Sequence, residues 1–326
     1  MKLNRFAVYA WGVTGYILAV IAWGAFVRAS GSGAGCGAHW PLCNGEVIPR
    51  APQIETLIEL THRLTSGVAG LLVLALLVWA IARYRRRADE RAGATLVAAA
   101  ASSVFIITEA LIGAGLVLFE YVAQNASTAR AVWMAVHLVN TFLLLASLAL
   151  TAWWGAGGAG VRLRGQGRTG LVFASAIAGA LLLAVSGAVA ALGDTLNPAA
   201  SLAEGLRQDF SPTASALVRL RLLHPTLAVV VGILLLFTAS YASTARAGAW
   251  TKRWSLALAA LVIIQTAVGL TNVALLAPIW LQLVHLLLAD FLWLSLILLA
   301  ASALSVREET EQRSAAAVEL QSVVEL

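Results

Sequence analysis

Charge is scarce in this chain. Only 12% of its 326 residues are Asp, Glu, Lys or Arg, 60% are hydrophobic, and the mean hydropathy is +0.85. Soluble domains carry about 25% charged residues, so a soluble fold of this size would lack the polar surface to cover itself. Lipid is the alternative solvent. Cysteine is also scarce: Cys36 and Cys43 are the only two, too few for a disulfide-built scaffold or a four-thiolate zinc site. No apolar run alternates with period two, so helices rather than barrel strands are the means of crossing a bilayer. A Ser/Arg-rich transit segment is also missing. The net charge of +6 does not indicate a nucleic-acid partner, because the basic residues cluster in short loops between apolar runs, as orientation by the positive-inside rule requires.

What is present is a series of eight apolar runs, at roughly 8–27, 57–82, 94–119, 131–154, 169–192, 218–244, 254–277 and 280–304. Each exceeds or approaches the roughly 20 residues that span a membrane as a helix. The expected fold is an all-α integral membrane protein with eight transmembrane helices in two tandem four-helix bundles. The N-terminus imitates a signal peptide, but its apolar stretch is longer than a usual signal core, so it reads as the first span. The loops alternate in charge. One set holds 15 of the 22 basic residues: Lys2, Arg5, Arg83, Arg85, Arg86, Arg87, Arg91, Arg162, Arg164, Arg168, Arg246, Lys252, Arg253, Arg307 and Arg313. The other holds Arg28, Arg50, Arg63, Arg130, Arg207, Arg219 and Arg221. The first set is expected to be cytoplasmic, with both termini inside.

An internal repeat organises the chain. Thr61-His62-Arg63 matches Leu223-His224-Pro225, and Gly24-Ala25-Phe26-Val27 matches Gly187-Ala188-Val189-Ala190. Glu109-Ala110-Leu111-Ile112-Gly113 matches Gln265-Thr266-Ala267-Val268-Gly269, and His137-Leu138 matches His285-Leu286. This divides the chain into an N-terminal half, 1–155, with a long outer loop at 28–56; a Gly- and Arg-rich linker, 156–168; a C-terminal half, 169–304; and a polar tail, 305–326.

Four of the five histidines, His62, His137, His224 and His285, lie in the outer third of the even-numbered spans; His137 is expected roughly 9 Å deep. A single intramembrane histidine can simply bond a neighbouring helix. Two repeat-related pairs at one depth mark function. Zinc would need further ligands that the second pair lacks. A proton relay would need linking acids. Two facing imidazoles in an apolar lining suit haem iron, whose macrocycle supplies the other four nitrogens. Arg63, Arg130, Arg219 and Arg221 stand near the outer ends of the same helices and are candidate partners for haem propionates, with ordinary interfacial anchoring as the alternative. The halves then diverge. Glu59 stands three residues before His62, where Arg221 stands three before His224. A carboxylate beside one pocket and a base beside the other imply different jobs, the acid being able to move protons or stabilise developing positive charge. Glu109, matched by Gln265, is a second acid of interest. Cys36 and Cys43 flank a Gly- and Pro-containing outer loop where a disulfide can form, as a clamp or for thiol–disulfide exchange.

These residues resemble the haem A synthase family along essentially the whole chain. The resemblance rests on Val27-Arg28-Ala29-Ser30-Gly31-Ser32-Gly33, on Trp40-Pro41-Leu42-Cys43-Asn44-Gly45, on Glu59-Leu60-Thr61-His62-Arg63, and on His137, His224 and His285. It implies oxidation of a ring methyl of haem O to a formyl group, giving haem A for cytochrome oxidase. It implies a resident haem b between His224 and His285, and a substrate haem O at His62 and His137, with Glu59 as the acid of the chemistry. It implies that Cys36 and Cys43 match the cysteine pair of one class of the family. It further implies a bacterial plasma-membrane location and an association with haem O synthase and cytochrome oxidase assembly factors. The electron acceptor is not written in the sequence. The position before Trp40, often acidic in the family, is His39 here. The competing expectation is a di-haem b electron-transfer cytochrome that converts no substrate; a transporter or haem-handling chaperone is a third.

Overall fold

A computed structural model describes residues 3–246 and 248–305 of the chain. The expected Lys2, Arg307, Arg313 and the tail beyond 305 lie outside the described residues. The described chain is helical throughout: α1 (Arg5–Ala29), α2 (Ile54–Arg86), α3 (Glu90–Leu118), α4 (Thr128–Gly155), α5 (Gly167–Leu196), α6 (Leu202–Asp209), α7 (Ala216–Arg221), α8 (Leu223–Ala245), α9 (Ala249–Ala274) and α10 (Ile279–Ala303). Eight segments are long and apolar enough to cross a membrane, the sixth running through α7 and α8 as Leu217–Ala245. Their exposed faces carry Val8, Leu71, Val78, Val97, Ile107, Leu171, Val230, Ile233, Leu256 and Ile263. So much exposed apolar surface is stable only against lipid, and the protein is an integral membrane protein.

Helix starts follow from side chains that can accept orphan N–H groups. Asn4 caps α1 at Ala7, Asp89 caps α3 at Ala92, and Ser127 caps α4 at Arg130. Two features go beyond the expected eight runs. The segment between the fifth and sixth spans folds into α6, an amphipathic helix with Leu202 and Leu206 on its exposed face. The helix ladder is also interrupted at Leu222, between α7 and α8. Pro225 has no N–H to return to the carbonyl of Arg221, which accounts for the break.

Helix α1 packs on α2 and α4, and α3 on α2 and α4; α8 packs on α5 and α9, and α10 on α9. Between these sets α4 meets α5 and α10, and α1 meets α10. The core therefore lies along α4 and α10. Leu144, Leu145, Leu148, Trp293, Leu296 and Leu298 are among its fully buried side chains. Trp293 Nε1 donates to the Phe142 carbonyl at 2.7 Å, and the two rings stack at 5.0 Å. Half-buried Arg28 adds a polar tie, with its guanidinium donating from α1 to Ala191 O and Thr195 Oγ1 on α5 and to Gln282 Oε1 on α10.

Candidate functional site

His62, His137, His224 and His285 sit eight, nine, seven and six residues beyond the first residues of their spans, Ile54, Thr128, Leu217 and Ile279. At 1.5 Å per residue this places all four roughly 9–14 Å into their spans from one end. That end also carries the cysteine loop, and α4 begins three residues earlier than its apolar run.

Each ring rests against a glycine of the preceding span. A Cβ on Gly24 would stand 2.8 Å from His62 Cε1, one on Gly187 3.0 Å from His224 Cε1, one on Gly269 3.0 Å from His285 Cε1, and one on Gly113 3.8 Å from His137 Cε1. These are the glycines that align between the halves of the sequence. The residue type is explained by contact: a Cβ at Gly24 would collide with the imidazole, and at Gly187 and Gly269 the ring would have to give by a few tenths of an ångström.

The second pair is a contact pair. The His224 and His285 ring centres are 6.4 Å apart with planes at 89°. Metal–imidazole bonds of about 2 Å put the ring centres of two opposed ligands roughly 6 Å apart, so the spacing accommodates one iron between them. Ser186 Oγ donates to Leu183 O and lies 3.0 Å from His224 Nδ1. With its hydrogen committed, that oxygen accepts from Nδ1–H, which leaves Nε2 with the lone pair a metal requires. Gln265 Nε2 donates to His285 O at 3.1 Å and stands 3.4 Å from His285 Nε2. Among the described residues no group of three or more His, Cys, Asp or Glu side chains converges on one point. The second pair thus offers two nitrogens, a donor set that fits an iron carrying its own equatorial ligands and would leave a bare ion undersupplied.

At the first pair the acid beside a histidine is Glu109. Its Oε1 lies 3.5 Å from His137 Nδ1. The carboxylate is held by Thr141 Oγ1 and by Asn140 Nδ2 at 2.6 Å, and Asn140 in turn accepts from Thr108 Oγ1 at 2.6 Å. Glu59, only 3% exposed, faces elsewhere. It accepts the Cys36 N–H at 2.8 Å and pairs with Arg63. Arg63 continues to the carbonyls of His39 and Leu42, both at 2.7 Å. Cys36 and Cys43 are joined in a disulfide, and both are buried. Glu59 and Arg63 therefore fasten the cysteine loop to α2 one turn from His62.

The other arginines also spend donors on the protein. Arg130 Nη1 bonds the carbonyls of Ala123 and Asn125, leaving Nε without a partner. Arg219 Nη2 bonds Pro212 O. Arg221 pairs with Asp209 at 2.7 Å and Asp194 at 3.2 Å and also reaches Asn197 O and Gln208 Oε1. The expected contrast of a lone acid against a lone base becomes two sets of ion pairs: Glu59 with Arg63 in one half, Arg221 with Asp194 and Asp209 in the other. Sequence reading missed the partners of Arg28, Glu59 and Arg221. The only signal was the position of Arg28 and Glu59 within distinctive motifs.

Residues 7–297 match the family described as cytochrome oxidase assembly protein. A Thermus thermophilus protein named "Protoheme IX farnesyltransferase" is 52% identical over 301 residues, which are 92% of this chain and 49% of that protein. The chain thus spans about half the length of that relative. Proteins named "Heme A synthase" are similar over shorter stretches: 35% over 144 residues in Exiguobacterium sibiricum, 44% of each chain, and 47% over 105 residues in Bacillus mycoides, 32% of each.

Proposed function

The chain belongs to the cytochrome oxidase assembly protein family, and from that premise we propose that it is a haem A synthase, oxidising a ring methyl of haem O to a formyl group. The observation that carries the reading is the pair of histidine sites at one depth, each ring beside a glycine of the preceding span, and unlike in the side chain beside the second histidine, Glu109 in one and Gln265 in the other. One scaffold built twice and altered at one site suits one resident cofactor and one transformed substrate. The repeat relation between residues 1–155 and 169–304, joined by the linker 156–168, is part of this proposal.

In this reading His224 and His285 hold the resident haem b, which supplies electron transfer when bound. Ser186 fixes the His224 tautomer, and Gly187 and Gly269 set the planes of the two rings. His62 and His137 receive haem O. Glu59 and Arg63 hold the buried disulfide loop over the first site and keep water from it. Arg130, which has an uncommitted Nε, is the arginine best placed to add a propionate contact, while Arg63, Arg219 and Arg221 act mainly on loop carbonyls and acids. The cysteine-loop end lies outside and the Arg83–Arg91 end faces the cytoplasm of a bacterial plasma membrane. A haem b held by His224 and His285 would supply a route by which the electrons released in the oxidation, with water as the oxygen source, could leave for an acceptor outside the chain. Haem O synthase, which would supply the substrate, and other oxidase assembly factors are the expected partners.

The test is to produce the chain with a source of haem O and extract the pigments. Haem A, or haem O oxidised part-way at the same methyl, is expected. Unaltered haem O from a folded, pigmented protein refutes the enzyme reading and leaves the di-haem electron-transfer cytochrome, which the matching glycine contacts of the two pairs would equally serve.

A further inference from the structure

The four histidine–glycine contacts are not equal. Three are closed: at Gly24, Gly187 and Gly269 an added Cβ would come within 2.8–3.0 Å of the ring it faces, so those imidazoles lie flush on the neighbouring helix. The fourth is open. At Gly113 the added Cβ would stand 3.8 Å from His137 Cε1, an ordinary van der Waals separation. The His137 ring therefore has a clearance toward α3 that the other three rings lack on their glycine sides. The His137 side chain is also 32% exposed.

His137 is the one histidine of the four with a carboxylate at its edge. Glu109 Oε1 is 3.5 Å from His137 Nδ1, and Glu109 is itself fixed by Asn140 and Thr141 on the same helix as His137. The distance is that of an ion-pair contact without hydrogen-bond geometry, and Nδ1 has no hydrogen-bond partner. A small rotation of the ring, into the clearance above Gly113, would complete the bond. In the second half the equivalent side chain, Gln265, is spent on the His285 backbone carbonyl, and His285 is flush on Gly269.

We propose that the first site has one fixed and one exchangeable histidine: His62, seated on Gly24, stays in place, while His137 turns off the haem iron into the clearance above Gly113, where its Nδ1–H bonds Glu109, to let a haem enter and leave. Glu109 and Gly113 are positioning residues for that movement. This rests on the reading of the first pair as the substrate haem site. It explains why a site that must release its haem differs from one that must keep it: two flush rings retain, one flush and one loose ring exchange. The ring needs no change of covalent state to move; the carboxylate offers its Nδ1–H an acceptor in the parked position.

The experiment uses the full chain in detergent, loaded with haem at both sites, reduced, and mixed with carbon monoxide in a stopped-flow spectrometer. Carbon monoxide binds a six-coordinate haem only when a histidine lets go. One haem is expected to bind it and the other to resist. Gly113→Ala fills the clearance without collision and is expected to slow carbon monoxide binding at least tenfold while leaving the low-spin spectrum intact. Glu109→Gln is expected to slow it severalfold, with Glu109→Asp restoring part of the rate, a pattern that mere structural damage would not give. Gly269→Ala, in contrast, is expected to disturb the low-spin spectrum of the haem that resists. Two bound haems with carbon monoxide rates unchanged in both Gly113→Ala and Glu109→Gln overturn the exchange proposal and leave the two-site reading standing. Haem held at only one pair overturns the two-site reading and this proposal with it.

Discussion

Replacing Glu59 should loosen the cysteine loop before it does anything else. Cys36 and Cys43 are buried at 0% and 1% exposure, so a thiol in solution reaches their disulfide only when the loop opens. Glu59 closes the loop twice. It accepts the Cys36 N–H directly, and it holds Arg63, which grips the carbonyls of His39 and Leu42. A hydrogen bond to a charged group is worth about 1.5–3 kcal/mol, and removing one partner of a buried ion pair costs about 3–5 kcal/mol. Arg63 remains 12% exposed at its side chain and keeps its two carbonyls, so the lower part of that range applies. A combined weakening of about 3 kcal/mol corresponds to roughly a hundredfold higher open population, at about 1.4 kcal/mol per decade. Glu59→Ala is therefore expected to raise the rate of disulfide reduction by dithiothreitol roughly a hundredfold, read by thiol alkylation and mass shift. Glu59→Gln, which still accepts from Cys36 but loses the ion pair, should raise it about tenfold. Bound haem should be retained in both. Reduction of the Glu59→Ala protein within twofold of the unaltered rate would refute the anchoring role and return Glu59 to the interior of the haem pocket.

Two further outcomes follow from the same geometry. His285→Ala should remove the low-spin haem b absorbance, because His224 alone cannot hold six-coordinate iron; an unchanged spectrum would place the ligand elsewhere. Arg28→Met removes three hydrogen bonds between α1 and helices α5 and α10; with partial relief from losing a half-buried charge, a net loss of about 2–4 kcal/mol is expected, seen as a lower thermal midpoint at fixed scan rate, and a midpoint within 1–2 °C of the unaltered protein, roughly the spread of such scans, would show that the tie contributes nothing.

The eight spans were legible because a bilayer imposes one requirement, a run of apolar residues long enough to cross it, and a linear sequence displays such a run directly. The four histidines were legible for the same reason: an ionisable group inside such a run stands out. Helix α6 was not, since eight residues with an apolar stripe at Leu202 and Leu206 fail any span-length criterion. The partners of Glu59 were hidden by distance along the chain: Cys36 lies 23 residues away, and nothing local to Glu59 announces a loop amide. The residues that bond Arg28 lie 163 to 254 residues away. The glycines are an intermediate case. Gly24 aligned with Gly187 and Gly113 with Gly269 in the repeat, so their recurrence was visible, but only the folded contact shows that each leaves room for an imidazole.

The difference between the two halves can be isolated at one atom pair. Glu109 and Gln265 occupy matching positions, the first placing a carboxylate oxygen 3.5 Å from His137 Nδ1, the second placing an amide 3.4 Å from His285 Nε2. If the acid tunes the haem held by its histidine, moving it should move the property. In Gln265→Glu the new carboxylate cannot donate to the His285 carbonyl and is repelled by it, which turns it to the imidazole edge that the amide already approaches at 3.4 Å. A carboxylate bonded to the outer nitrogen of a metal-ligating histidine makes the ligand more basic and favours the more positive iron. A gain of about 1–2 kcal/mol for a charge-assisted bond converts, for a one-electron couple at about 59 mV per decade, to a midpoint potential lower by roughly 40–90 mV. Redox titration of the resident haem, followed at its low-spin absorbance, reads this directly, with Gln265→Ala as the control that removes the amide without adding charge. A potential lowered in Gln265→Glu and not in Gln265→Ala assigns the asymmetry to the acid; equal potentials in both would mean that the two halves differ by something other than residue 109.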